Sequence, residues 1–126
     1  MAAAIVAAAD RSADDRAIDG QRKPAELLVF LDLKPGMRVA ELIAGFGYTS
    51  ELLVREPLPP EAKDLDAVVM VLFDHDTVWM KVDRARMNKA IFAALRPGGS
   101  FVIIDHSGRP GTGVTESQTL HRFAGG

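Results

Sequence analysis

Ala67-Val68-Val69-Met70-Val71-Leu72-Phe73 runs directly into Asp74-His75-Asp76. Seven uncharged residues, rich in β-branched side chains and free of Gly and Pro, read as a strand buried on both faces, as in parallel sheets covered by helices. Downstream, Asp83 caps a helix to Leu95, with Met87, Ile91, Phe92 and Leu95 at core spacing. Pro97-Gly98-Gly99 turns the chain into a third strand, Phe101-Val102-Ile103-Ile104, which ends in Asp105-His106-Ser107. Upstream, Met37 to Ile43 reads as a buried strand broken by Gly45-Phe46-Gly47. Tyr48 to Arg55 reads as a helix stopped by Pro57, Pro59 and Pro60. This alternation predicts an α/β fold: a minimal three-stranded parallel sheet, with strands near 37–43, 67–73 and 100–105 and flanking helices.

Further out, Ser12 with Asp14 and Asp15 reads as the start of a short helix closed by Gly20. Pro24 opens the next helix, whose Leu27, Leu28, Phe30 and Leu31 form a buried stripe. Residues 61–66 read as an exposed approach to the central strand. Residues 1–11 read as a disordered or frayed tail, 12–107 as the domain and 108–126 as a loop-rich C-terminal tail.

The chain has 126 residues, room for one domain, and a βαβ unit takes roughly 30. Fifteen Lys and Arg against seventeen Asp and Glu give a net charge of -2. That argues against a nucleic-acid binder working through a net basic surface. The absence of cysteine excludes a disulfide scaffold, a thiolate metal site and a cysteine nucleophile. No apolar run reaches the ~18 residues a membrane span needs. The apolar start lacks the basic residues of a secretory signal, so a cytoplasmic location is favoured and export is left open.

A strand entering Gly45-x-Gly47 and then a helix makes a small-ligand site, because glycine allows close backbone approach and the helix start offers free N–H groups. The dinucleotide form of this loop is disfavoured. Ser50 stands where it wants a third glycine, and the acid about 20 residues on is missing.

The longer string from Lys34-Pro35-Gly36 through Glu41 to Gly45-Phe46-Gly47-Tyr48-Thr49 resembles motif I of the class I S-adenosylmethionine-dependent methyltransferases. Leu95-Arg96-Pro97-Gly98-Gly99 with Phe101 to Asp105 is similar to the turn and strand that the family places after its fourth helix. Pro57 to Asp66, His75 to Met80, and Asp105-His106-Ser107 with Pro110-Gly111-Thr112-Gly113 resemble a bacterial group of predicted methyltransferases. The resemblance covers most of residues 10–122. It implies a truncated Rossmann-like fold and S-adenosylmethionine as cofactor, bound by Glu41, Ala44, Gly45, Gly47 and Tyr48. The implied reaction is methyl transfer to a small-molecule acceptor.

The chain departs from the family at several points. Ile43 replaces the first loop glycine. Only 11 residues separate Arg55 from Ala67, too few for the family's second and third strands, so the acid that holds the cofactor ribose has no counterpart. The closing antiparallel strands have none either. Joining the first helix to the family's fourth strand in its usual place makes a left-handed crossover, a rare connection. The alternative moves that strand to the other side of the first. Either way two exposed edges invite pairing into a homo-oligomer.

His75, Asp76, Asp105 and His106 fall at two strand ends and are expected to face one crevice. Three readings compete. In the first, an acceptor site, His75 or His106 takes a proton and Asp76 or Asp105 orients it, giving His75, Asp76 and His106 as the catalytic set. In the second, two imidazoles and two carboxylates suit zinc or iron, but no spaced helical pair supports this and no metal ligand is assigned. In the third, the aspartates cap segments and the histidines bond loop backbone. Trp79 and Met80 read as acceptor lining or core, and Tyr48 as a cofactor cover or a residue packed on its own helix. Arg84, Arg86 and Lys89 read as a solvated face, and His121 has no assigned role. The rival to the enzyme is a non-catalytic remnant acting as an oligomerising or binding module.

Overall fold

A computed structural model describes residues 2–42 and 62–122. The glycine loop and following helix predicted for residues 43–55 lie outside the described residues, and with them Ile43, Ala44, Gly45, Gly47 and Tyr48. In chain order the elements are α1 (Ala2–Val6), α2 (Ala13–Arg22), α3 (Pro24–Leu31), β1 (Val39–Leu42), β2 (Leu65–Val71), α4 (Asp74–Trp79), α5 (Arg84–Ala94), β3 (Leu95–Ile104) and α6 (Ser117–Leu120). The three strands form one parallel sheet in the order β1-β2-β3. The crossover from β1 to β2 falls within residues outside the description.

The central strand is the core. Leu65, Ala67, Val68, Val69 and Met70 are all buried. Ala67 and Val69 pack with Val39 and with Leu31 of α3 on one face. Val68 and Leu65 pack with Ala40 and with Ile91 of α5 on the other. Helices thus cover both faces, as an uninterrupted apolar strand requires. The strand begins two residues earlier than its apolar run, at Leu65, where an exposed approach was expected.

Two aromatic residues read as core point outward. Phe30 and Phe92 are 69% and 81% exposed. In α3 the inward positions are Pro24, Leu27 and Leu31, and in α5 they are Met87, Ile91 and Ala94, each set at three- or four-residue spacing. Phe30 and Phe92 sit one position off these rows. Ser12 and Asp83 cap α2 and α5, accepting from the N–H groups of Asp15 and Arg86. Gly20 does not close α2, which continues to Arg22. Pro24 decides the end instead, because its ring disfavours helical geometry in Lys23, and Lys23 turns left-handed at φ 47°. At the start of the chain α1 packs on α3, and the buried Arg11 forms a bidentate pair with Asp19.

β3 pairs with β2 at Leu65–Leu95, then again from Ala67–Ser100 onward, so Pro97 and the two glycines bulge out between. Gly99 fills the tightest point: a Cβ there would lie 2.7 Å from the Leu65 carbonyl oxygen. Asp66 ties the amino ends of the strands together. It accepts from the Arg38 N–H at 2.7 Å and from Arg96 Nε at 2.6 Å. The Arg38 hydrogen bond first, and then Arg96, hold its carboxyl below the ordinary value of 3.8.

Gly99→Ala should cost about 1–3 kcal/mol in denaturant unfolding, because backbone at Leu65 must move. The Asp66 tie stabilises the fold above the ordinary carboxylate value and is lost as pH falls through its lowered one. Asp66→Asn should therefore lower the thermal midpoint at neutral pH and flatten its decline in acid, as read by thermal unfolding across pH.

Candidate functional site

β2 does not end in a loop. Leu72 adopts a left-handed conformation at φ 56° while its N–H still bonds the Ile104 carbonyl at 2.7 Å. A branched side chain pays about 1–2 kcal/mol for that geometry. The bend turns Asp74-His75-Asp76 directly into α4.

The first turn of α4 has no side-chain cap of its own, since Phe73 occupies the N-cap position. Asp105, at the end of β3, supplies one from across the sheet. Its Oδ2 accepts from the His75 backbone N–H at 2.8 Å, and its Oδ1 lies 2.6 Å from His75 Nδ1. Oδ1 also accepts from the His106 backbone N–H at 2.7 Å. With a carboxylate against it, Nδ1 carries a proton, which leaves the lone pair of a neutral His75 at Nε2. The side chains of His75 and Asp105 are 4% and 5% exposed.

His75 Nε2 faces Nδ1 of His121 at 3.1 Å, and the two rings meet nearly edge to face. The C-terminal segment brings His121 there. Glu116 is buried and bonded by the Arg109 guanidinium, which holds the Glu116 carboxyl below its ordinary value. α6 follows, packs on α4, and ends in left-handed His121. Asp76 completes the group. One of its oxygens accepts from the Trp79 indole N–H at 2.7 Å, and both lie near the two histidines.

Of the four residues expected to share a crevice, His75, Asp76 and Asp105 come together. The exposed His106 meets Asp105 through its backbone and, together with Asp105, lines a cleft of about 240 Å³ that also takes in Arg22, Leu27, Val71 and Ile104. An adjoining cleft of about 450 Å³ is floored by Leu27, Phe30, Ile103 and Ile104 and rimmed by Arg22, Lys23 and Glu26. Glu41 is half-buried on β1 beside Val69, on the sheet face that α3 covers and that carries Val71 and Ile104 of the smaller cleft.

Trp79 and Met80 are exposed rather than core, and Trp79 steadies Asp76. Arg84 is not on a solvated face: it pairs with the buried carboxylate of Asp74 at 3.1 Å and donates to Thr77 Oγ1 at 2.8 Å. The residue that sequence reasoning missed is His121. Its only signal is being a third histidine in a segment with no periodicity. Compared with known protein families, with curated proteins and with solved structures, the chain matches none.

Arg84→Met would leave the Asp74 carboxylate buried without its counter-ion. A loss of about 2 kcal/mol is expected in urea unfolding, less than for a fully buried pair because the guanidinium is partly solvated.

Proposed function

We propose that the chain is a small methyl-transfer domain of the class I S-adenosylmethionine-dependent type, acting on a small-molecule acceptor. One observation carries this reading: Asp105, at the end of β3, holds both the ring and the backbone of His75, just beyond β2. Two of the strand ends that resemble the family are thereby joined into one polar group at the carboxyl side of a parallel sheet, where open α/β folds take their ligands.

Among the described residues, Glu41 and two clefts support the cofactor reading, while Ile43 and the missing ribose acid of the sequence favour the rival. Glu41 sets a half-buried carboxylate at the carboxyl end of β1, on the α3-covered face that bears the smaller cleft. The larger cleft next to it falls in the range of small-molecule sites, roughly 300–1,000 Å³. The resemblance adds Ala44, Gly45, Gly47 and Tyr48. When bound, S-adenosylmethionine supplies an electrophilic methyl group on a sulfonium. The protein's share is alignment and proton handling. Asp105 fixes the ring of His75 so that Nε2 can hold the acceptor's proton, Asp76 borders that nitrogen, and His106 lines the neighbouring cleft.

The rival reading, a binding module without catalysis, draws support from the apolar side chains of Phe30 and Ile103 exposed along the larger cleft.

Calorimetric titration with S-adenosylmethionine and S-adenosylhomocysteine separates the two. Saturable binding of both is expected, weakened about tenfold or more by Glu41→Gln, the scale of a lost charge-assisted hydrogen bond. No heat of binding at millimolar cofactor would rule out the enzyme and leave the module.

A further inference from the structure

We infer that His75, His121 and Asp76 form a binding site for a borderline divalent transition metal, of which zinc is the type. This inference goes beyond the methyl-transfer reading and does not rest on it. Nε2 of His75 and Nδ1 of His121 are 3.1 Å apart. Asp76 places one oxygen 3.5 Å from the first nitrogen and the other 3.6 Å from the second. Ligands around a tetrahedral zinc with bonds of about 2.0–2.1 Å are separated by about 3.3 Å, close to the spacing of the two nitrogens. One donor atom from each of the three residues lies within 4.8 Å of the others, so a small turn of the Asp76 carboxylate closes the set around the ion.

Two of the three ligands are also held in the way metal ligands are. A metal-binding histidine donates its other ring N–H to a carboxylate or carbonyl, which fixes the ring and makes the free nitrogen a better donor. His75 does this to Asp105 at 2.6 Å. Asp76 is held by the Trp79 indole N–H at 2.7 Å. The side chains of His75 and Asp76 are 4% and 16% exposed, whereas His121 is 61% exposed. That gives a dry floor and an open mouth, with the fourth position left to water or to a ligand heteroatom. Two imidazoles and one carboxylate favour zinc, cobalt or ferrous iron over magnesium or calcium, which prefer all-oxygen sets.

Without a metal, the two facing nitrogens lie within hydrogen-bond distance of each other. With a metal, both lone pairs go to the cation. A bound ion would make a water or other heteroatom ligand at the fourth position more acidic.

The test uses the full chain, stripped with a chelator and free of cofactor. Zn²⁺ is titrated by calorimetry and Co²⁺ by visible absorption. One equivalent of each should bind with micromolar or tighter affinity, cobalt should give the intense bands of a tetrahedral site, and excess Mg²⁺ should displace neither. His121→Ala, at an exposed position, should leave the circular dichroism unchanged and weaken Zn²⁺ binding by at least about tenfold. Asp105→Asn should weaken it by about 10–100-fold by removing the partner of Nδ1. Failure of the wild-type chain to bind zinc would overturn the inference, as would equal affinity in a folded His121→Ala chain. Because no cofactor is present, neither result bears on methyl transfer.

Discussion

The hydrogen-bonded union of Asp105 with His75 is where sheet and site depend on each other. One carboxylate takes the backbone N–H of the first turn of α4, the ring N–H of His75 and the backbone N–H of His106. It replaces the cap that Phe73 lacks, so α4 starts where it does only while β3 lies beside β2. Conversely, β3 is the least buried strand, and it is tied at its carboxyl end by this residue and at its amino end by Arg96 on Asp66. The same bonds that dock the edge strand fix the tautomer of the histidine. Stability and chemistry therefore draw on one side chain.

The core obeys a simpler constraint. β2 is apolar on both faces and must be covered on both. α3 and α5 do this with one row of side chains each, leaving Val29, Phe30 and Phe92 exposed. The apolar content of these helices exceeds what the sheet can bury, and the excess lies on the outside.

The legible parts of the fold were those in which one residue type leaves no choice. The run from Ala67 to Val71 could hardly be anything but a central strand, and Ser12 and Asp83 announced their helices by capping chemistry. Phe30 and Phe92 were misread because an apolar residue next to a core residue lies about a quarter-turn away on a helix, and composition alone does not say which neighbour faces inward. Leu72 gave no warning of its left-handed turn, since leucine has no preference for that geometry. His75, Asp76 and Asp105 were found because strand ends in a parallel sheet share one edge. His121 was not, because its partnership is 46 residues long and is set by the packing of α6 on α4 and by the Arg109–Glu116 pair, neither of which leaves a periodic mark.

That 46-residue span gives the contact a second significance. It closes a ring that runs from the first turn of α4 through α5, β3 and α6. Each doubling of loop length adds only about 0.6 kcal/mol to the entropy of closure, so large rings cost little more to close than small ones. A bond at this single point would stiffen more than a third of the chain, as a cross-link does in proteins whose cysteines do that work. In a chain with no cysteine, a metal ion shared by these two imidazoles would be the cross-link at this point.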